Sequence, residues 1–179
     1  MTDITRREFV KVGAAGAAAL AIGATGAESA PPMPERPLGK TGFKVRVFSL
    51  GGQAAIETAG MHDESIAIIS GAIGVGVSSI DTAAAYGRPR NVTPRWEANG
   101  ISQTYIGEVM KTRRKEVFLA SKTDDRTRDG SLKLLEQSLK LLNTDHLDLW
   151  QLHNIMRDEQ LDQIFGKDGA IEAMQQARD

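Results

Sequence analysis

Asp81, Tyr86, Lys122 and His153 bring a carboxylate, a phenol, an amine and an imidazole to comparable places in this chain. Short apolar runs that read as strands lead into three of them. Val77 to Ile80 precedes Asp81, Val117 to Ser121 precedes Lys122, and Leu147 to Leu152 precedes His153. Tyr86 follows Asp81 on the connecting loop. Parallel α/β folds gather the C-terminal ends of their strands into one cleft, and their chemistry is done there. An acid, a phenol, an amine and an imidazole in one cleft suit proton transfer to a carbonyl oxygen. Strand alternation agrees with that placement. His153 shares a face with Gln151, Leu149 and Leu147, Lys122 with Ala120 and Phe118, and Asp81 with Ser79.

The elements that must position these residues alternate. Arg36 to Val45 reads as a hairpin with glycines at its turn. Val47 to Leu50 reads as a first strand, ended by Gly51-Gly52. Asp63 is placed to cap a helix running to Ile73. Gln103 to Lys111, Ser131 to Asn143 and Asp168 to Ala177 carry helical apolar spacing and follow the second, third and fourth strands. Strand and helix in alternation imply right-handed crossovers and a parallel sheet. Gly87 to Ile101, which holds Arg88, Arg90, Arg95 and Trp96, reads as a long mobile surface loop.

Composition bounds the function. The 179 residues are 41% apolar and 25% charged with a net charge of −1, an ordinary globular balance. No basic face points to nucleic acid. With no cysteine, thiolate nucleophiles, disulfides and cysteine zinc sites are excluded. The histidines, His62, His146 and His153, are not spaced as metal ligands, and His62 and His146 are expected at the surface.

Residues 1–30 read as an export signal. Thr5-Arg6-Arg7-Glu8-Phe9 followed by an alanine- and glycine-rich stretch to Ala27 resembles a twin-arginine signal. That resemblance implies the export machinery as a partner and a periplasmic location, with a membrane tether if the signal is retained. Residues 31–35, rich in proline, read as a linker.

Four landmarks in order carry a wider resemblance. They are Leu38-Gly-Lys-Thr-Gly-Phe-Lys-Val45, Ile80-Asp-Thr-Ala-Ala-Ala-Tyr-Gly87, Ser121-Lys122-Thr123, and Asp148-Leu-Trp-Gln-Leu-His153. Together they resemble the aldo-keto reductase superfamily over residues 36–179. The resemblance implies a (β/α)8 TIM barrel that uses NADPH, or less often NADH, to reduce a small aldehyde or ketone. It implies Tyr86 as general acid, Lys122 and His153 as the groups that tune it, and Asp81 as the partner of Lys122. Gly51, Gly52, Asp81 and Asn154 become the expected cofactor contacts. The family's Ser-Glu pair, which opens the second helix soon after Tyr-Gly, is matched here by Ser102-Gln103 beyond the inserted loop. A full barrel has eight βα units and typically about 250 residues. Only the first four are legible, after the hairpin, so residues 36–179 are expected to be the N-terminal half of such an enzyme. An inactive truncated fragment and a cofactor-sensing binding module are the alternatives.

Overall fold

The computed structural model describes residues 33–178. The expected export signal and residues 31–32 of the linker lie outside the described residues. No described helix is long and apolar enough to cross a membrane.

The hairpin is built from β1 (Glu35–Pro37) and β2 (Lys44–Arg46), which pair antiparallel. It sits at the N-terminal ends of the later strands. Arg46 donates through Nη1 to the Gly76 carbonyl at 2.6 Å, and the Phe43 ring meets Phe118 edge to face, centroids 5.0 Å apart. The hairpin therefore lies at the opposite end of the strands from Asp81, Lys122 and His153.

A parallel sheet follows, in spatial order β3 (Leu50–Gly51), β4 (Ser79–Asp81), β5 (Phe118–Thr123) and β6 (Leu149–Leu152). Each strand pairs with its predecessor in sequence. The connections are α1 (His62–Gly74), α2 (Ile101–Arg113) and α3 (Arg128–Leu141); α4 (Asp158–Phe165) and α5 (Ala170–Arg178) follow β6. Ile69, Ile73, Ile80, Ile106, Met110 and Leu119 form the centre of the apolar layer between sheet and helices. At Gly107 of α2 a Cβ would stand 1.9 Å from the Leu141 carbonyl, so only glycine lets α2 and α3 approach this closely.

The structure corrects several expected boundaries. Val47 and Phe48 are exposed, and β3 has only two residues; the Val47 amide donates back to the Pro34 carbonyl instead of joining the sheet. Asp63 is not the cap of α1. It sits inside the first turn, where its carboxylate pairs with His62 and still favours the positive helix end. The Gly87 to Ile101 loop is tied down rather than loose. Arg88 and Arg95 both bind Asp124, and Trp96, in a short 3-10 turn, stacks under the Lys133 ammonium. Finally, α4 occupies a stretch where the sequence predicts no helix. Ile164 is its one buried residue, while Gln160 accepts the Met156 and Arg157 amides at its start.

Candidate active site

Strand register sets the geometry. Asp81 closes β4 level with Gly51 of β3 and Ala120 of β5. Lys122 stands two residues further along β5, level with Gln151 of β6. The His153 amide continues the ladder by donating to the Thr123 carbonyl at 2.8 Å. The pleat then points the long Lys122 side chain across the strand ends toward Asp81.

Lys122 is the hub. Its Nζ donates to Asp81 Oδ2 at 2.7 Å, to the Thr82 carbonyl at 2.8 Å and to Tyr86 Oη at 3.4 Å. The ammonium also lies 5.0 Å from the Tyr86 ring centroid. The Tyr86 and His153 rings meet edge to face with centroids 5.5 Å apart. All four expected catalytic residues are thus brought to one rim. The Lys122 side chain is mostly covered (12% exposed), whereas Asp81 remains 43% exposed. Charge-assisted hydrogen bonds of this length hold the ammonium in one place.

His153 is half-buried. Burial above all, and then the Lys122 charge, push its imidazole below the ordinary value of 6.5, against the opposing pull of Asp124 and Asp81. Its Nδ1 is buried with no hydrogen-bond partner among the described residues.

The loop after β4 is seated by hydroxyls. Thr82 and Ser102 share a buried 2.8 Å hydrogen bond, and Gln103 bridges Ser121 and Ser138 at 2.8 and 2.9 Å. Ser102-Gln103 therefore opens α2 and binds it to β5 and α3 with neutral groups. The expected cofactor contacts divide. At Gly51 a Cβ would meet nothing within 4 Å, so the space beside Asp81 is open. Gly52 is buried, and a Cβ there would stand 2.6 Å from Ser102 Oγ. Asn154 follows His153, exposed, with a left-handed φ of 55°.

Asp124 and Arg126 complete the rim, and the motif spacing does not single them out. The signal was the charged run Asp124-Asp125-Arg126 directly after a strand end. Arg88 holds Asp124 through two hydrogen bonds and Arg95 adds a third at 2.8 Å. Burial works to raise the Asp124 carboxyl, but Arg88 and Arg95 outweigh it and keep it below the usual range. Arg126 donates through Nη2 to the carbonyls of His153 and Asn154, at 2.6 and 3.2 Å. Among the described residues no cluster of metal-binding side chains occurs.

The rim stands at the C-terminal ends of a four-stranded parallel sheet. Residues 48–177 match the Aldo/keto reductase family, and the chain belongs to it. It is 27% identical over 143 residues to the uncharacterized oxidoreductase YqkF of Bacillus subtilis, covering 73% of this chain and 42% of that protein. It is 33% identical over 99 residues to the methylglyoxal reductase YeaE of Escherichia coli, covering 54% and 31%. An aldo-keto reductase from Klebsiella pneumoniae, solved in complex with NADPH, shares the fold with a TM-score of 0.58 at 24% identity, over 74% of this chain and 41% of that one. The chain thus spans less than half the length of these relatives.

Proposed function

We propose that this chain carries the proton-handling half of an NADPH-dependent carbonyl reductase, with Tyr86 as the general acid. The observation that carries the reading is the Lys122 ammonium, which touches both the Asp81 carboxylate and the Tyr86 hydroxyl while the His153 ring flanks the phenol. The Tyr86 hydroxyl gives its proton to the substrate's carbonyl oxygen. Lys122 stabilises the phenolate left behind, and Asp81 fixes Lys122. His153, held neutral by burial, lends a ring N–H to the same oxygen and orients the carbonyl. A nicotinamide cofactor, when bound, would supply the hydride. The open space at Gly51 beside Asp81 and the exposed Asn154 next to His153 fit such a group, and these residues would hold it. The NADPH of the Klebsiella neighbour and the methylglyoxal reductase among the relatives support the cofactor and the carbonyl chemistry.

NADPH oxidation with small aldehydes tests the reading. Tyr86→Phe is expected to lower kcat by about 10²- to 10⁴-fold, the usual share of a general acid, with little change in KM. Unchanged turnover in that variant would sink it. We also propose export through the twin-arginine route, supported by Arg6-Arg7-Glu8-Phe9 and the alanine-rich stretch behind it. Replacing both arginines with lysine is expected to keep the protein out of the periplasmic fraction; periplasmic delivery of that variant would refute the route.

A further inference from the structure

The cleft beside His153 encloses about 650 Å³ and is lined by Ala85, Arg95, Asp124, Arg126, Asn154 and Arg157, among others. Its charges are unevenly matched. Arg88 donates to Asp124 from both Nη1 and Nη2, and the half-exposed Arg95 donates to it from Nη1. Arg126 is different. It is only 9% exposed, and one nitrogen alone, Nη2, is used, on two backbone carbonyls. Its Nε and Nη1 are buried and have no hydrogen-bond partner among the described residues. A buried cation with unmade hydrogen bonds is among the costlier arrangements in a protein, and an anion that accepts from it is bound strongly in return. Burial first, and then the Arg95 charge, push the guanidinium below its ordinary value, against Asp124 and Asp125.

We propose that Arg126 is a carboxylate-recognition residue and that the substrates of this site are short oxo acids. This rests on the carbonyl-reductase reading above and names its substrate class. Arg126 grips the backbone carbonyl of His153, and both residues line the same cleft. A ligand with its ketone or aldehyde at His153 and its carboxylate at Arg126 lies within the one cleft that both residues line, which favours a short chain between the two groups. A 2-oxo acid or the semialdehyde of a short diacid has that shape. The reaction balances as an ordinary reduction. The carbonyl π bond breaks, carbon takes a hydride from the reduced nicotinamide, oxygen takes the Tyr86 proton, and solvent returns a proton to the phenolate. The product is a hydroxy acid and the oxidised cofactor. The carboxylate is unchanged throughout, so Arg126 acts in binding and orientation.

Binding of oxamate, an unreactive 2-oxo acid mimic, measured against its neutral counterpart oxamide in the presence of NADP⁺, tests the assignment without needing turnover. Oxamate is expected to bind at least about tenfold more tightly, the effect of one hydrogen bond to a charged group. Arg126→Gln is expected to abolish that preference, Arg126→Lys to keep part of it, and Tyr86→Phe to leave it in place. The Arg126 Nε–H resonance of the native protein should shift with oxamate and not with oxamide, a readout that needs no variant to fold. Three results would overturn the proposal. One is equal binding of the two ligands. Another is a preference that survives Arg126→Gln and disappears in Tyr86→Phe, which would seat the carboxylate between phenol and imidazole. The third is inorganic phosphate binding through Arg126 as tightly as oxamate, which would make this a bare-anion site. Failure of the reductase reading looks different: no reduction of glyoxylate or of neutral aldehydes, while Arg126-dependent oxamate binding persists.

Discussion

Lys122 and Asp81 form a 2.7 Å ion pair across two adjacent parallel strands, and the two ends of that pair differ in exposure. Lys122 is mostly covered and Asp81 is part-exposed. Removing the acid therefore leaves a covered ammonium with the Thr82 carbonyl and the Tyr86 hydroxyl as its partners. Removing the amine leaves a carboxylate that water solvates. Asp81→Asn should accordingly cost more stability than Lys122→Met. We expect about 1–2 kcal/mol for the first, below the range for fully buried pairs because Asp81 is part-exposed, and under about 1 kcal/mol for the second. Denaturant midpoints rank them. The reverse order would mean that the pair is not what holds the ammonium in place.

The His153 imidazole sets a pH dependence. Its folded value lies below 6.5, lowered by burial and by Lys122. Between that folded value and 6.5 the unfolded chain binds a proton that the folded chain refuses. Stability is therefore complete above 6.5 and falls as pH drops toward the folded value. His62 carries the opposite sign. Hydrogen bonds to Asp63 and then Glu108 raise it, so its contribution is complete below 6.5 and fades as pH climbs through its folded value. Melting temperatures followed from roughly pH 5 to 7 should show the acid-side loss in the native protein and its removal in His153→Gln. A loss that persists in that variant would assign the titration elsewhere.

Much of this arrangement was legible from residues alone, for physical reasons. Asp81, Lys122 and His153 each follow an apolar run, buried before Asp81 and Lys122 and only partly covered before His153, and a parallel sheet brings the ends of such runs together whatever the helices do. Tyr86 came with them because the Thr82-Ser102 hydrogen bond seats the loop that carries it. Ile80 and Leu119, both buried, showed their strands by hydrophobicity. Helix α4 carries Leu161, Ile164 and Phe165 at helical spacing, but over eight residues with Ile164 alone buried that stripe is too short to set it apart from a loop. The role of Asp124 was hidden because it depends on Arg88, 36 residues away in sequence, and a pairing over that distance leaves no local pattern. Arg126 was hidden for a related reason, since its backbone partners lie at His153 and Asn154.

Asp124 is expected to be the fastening of the loop between β4 and α2. It accepts from Arg88 and Arg95, which belong to the Gly87 to Ile101 stretch, and its side chain is only 16% exposed. Asp124→Ala leaves Arg88, itself 10% exposed, as an uncompensated buried cation. A loss of about 3 kcal/mol follows from the breaking of a buried pair. Limited proteolysis should then cut first within residues 88–98. The native pair should also fail on the acid side, as pH falls below the ordinary carboxyl value of 3.8 toward the lowered folded value. A variant as stable and as protease-resistant as the native protein would show the loop to be held by Trp96 and Lys133 instead.

Gly51 and Gly52 stand next to each other and should answer the same substitution differently. A methyl group at position 52 would meet Ser102 Oγ at 2.6 Å, and the Asp81 carbonyl and Thr82 Cβ at 3.1 Å. Ser102 is not a loose end that can swing aside, because its hydroxyl is buried in the hydrogen bond with Thr82 that seats the Tyr86 loop. Gly52→Ala is therefore expected to destabilise the fold by about 1–3 kcal/mol through overpacking. It should also lower kcat by displacing Tyr86. At position 51 the same methyl group meets nothing within 4 Å and points into the open space beside Asp81. Gly51→Ala should leave the unfolding free energy within about 0.5 kcal/mol of native, while raising the Kd for NADPH if the nicotinamide occupies that space. Fluorescence titration with NADPH decides the second half. Cofactor affinity unchanged in Gly51→Ala, or weakened only in Gly52→Ala, would move the cofactor away from the Asp81 side of the rim.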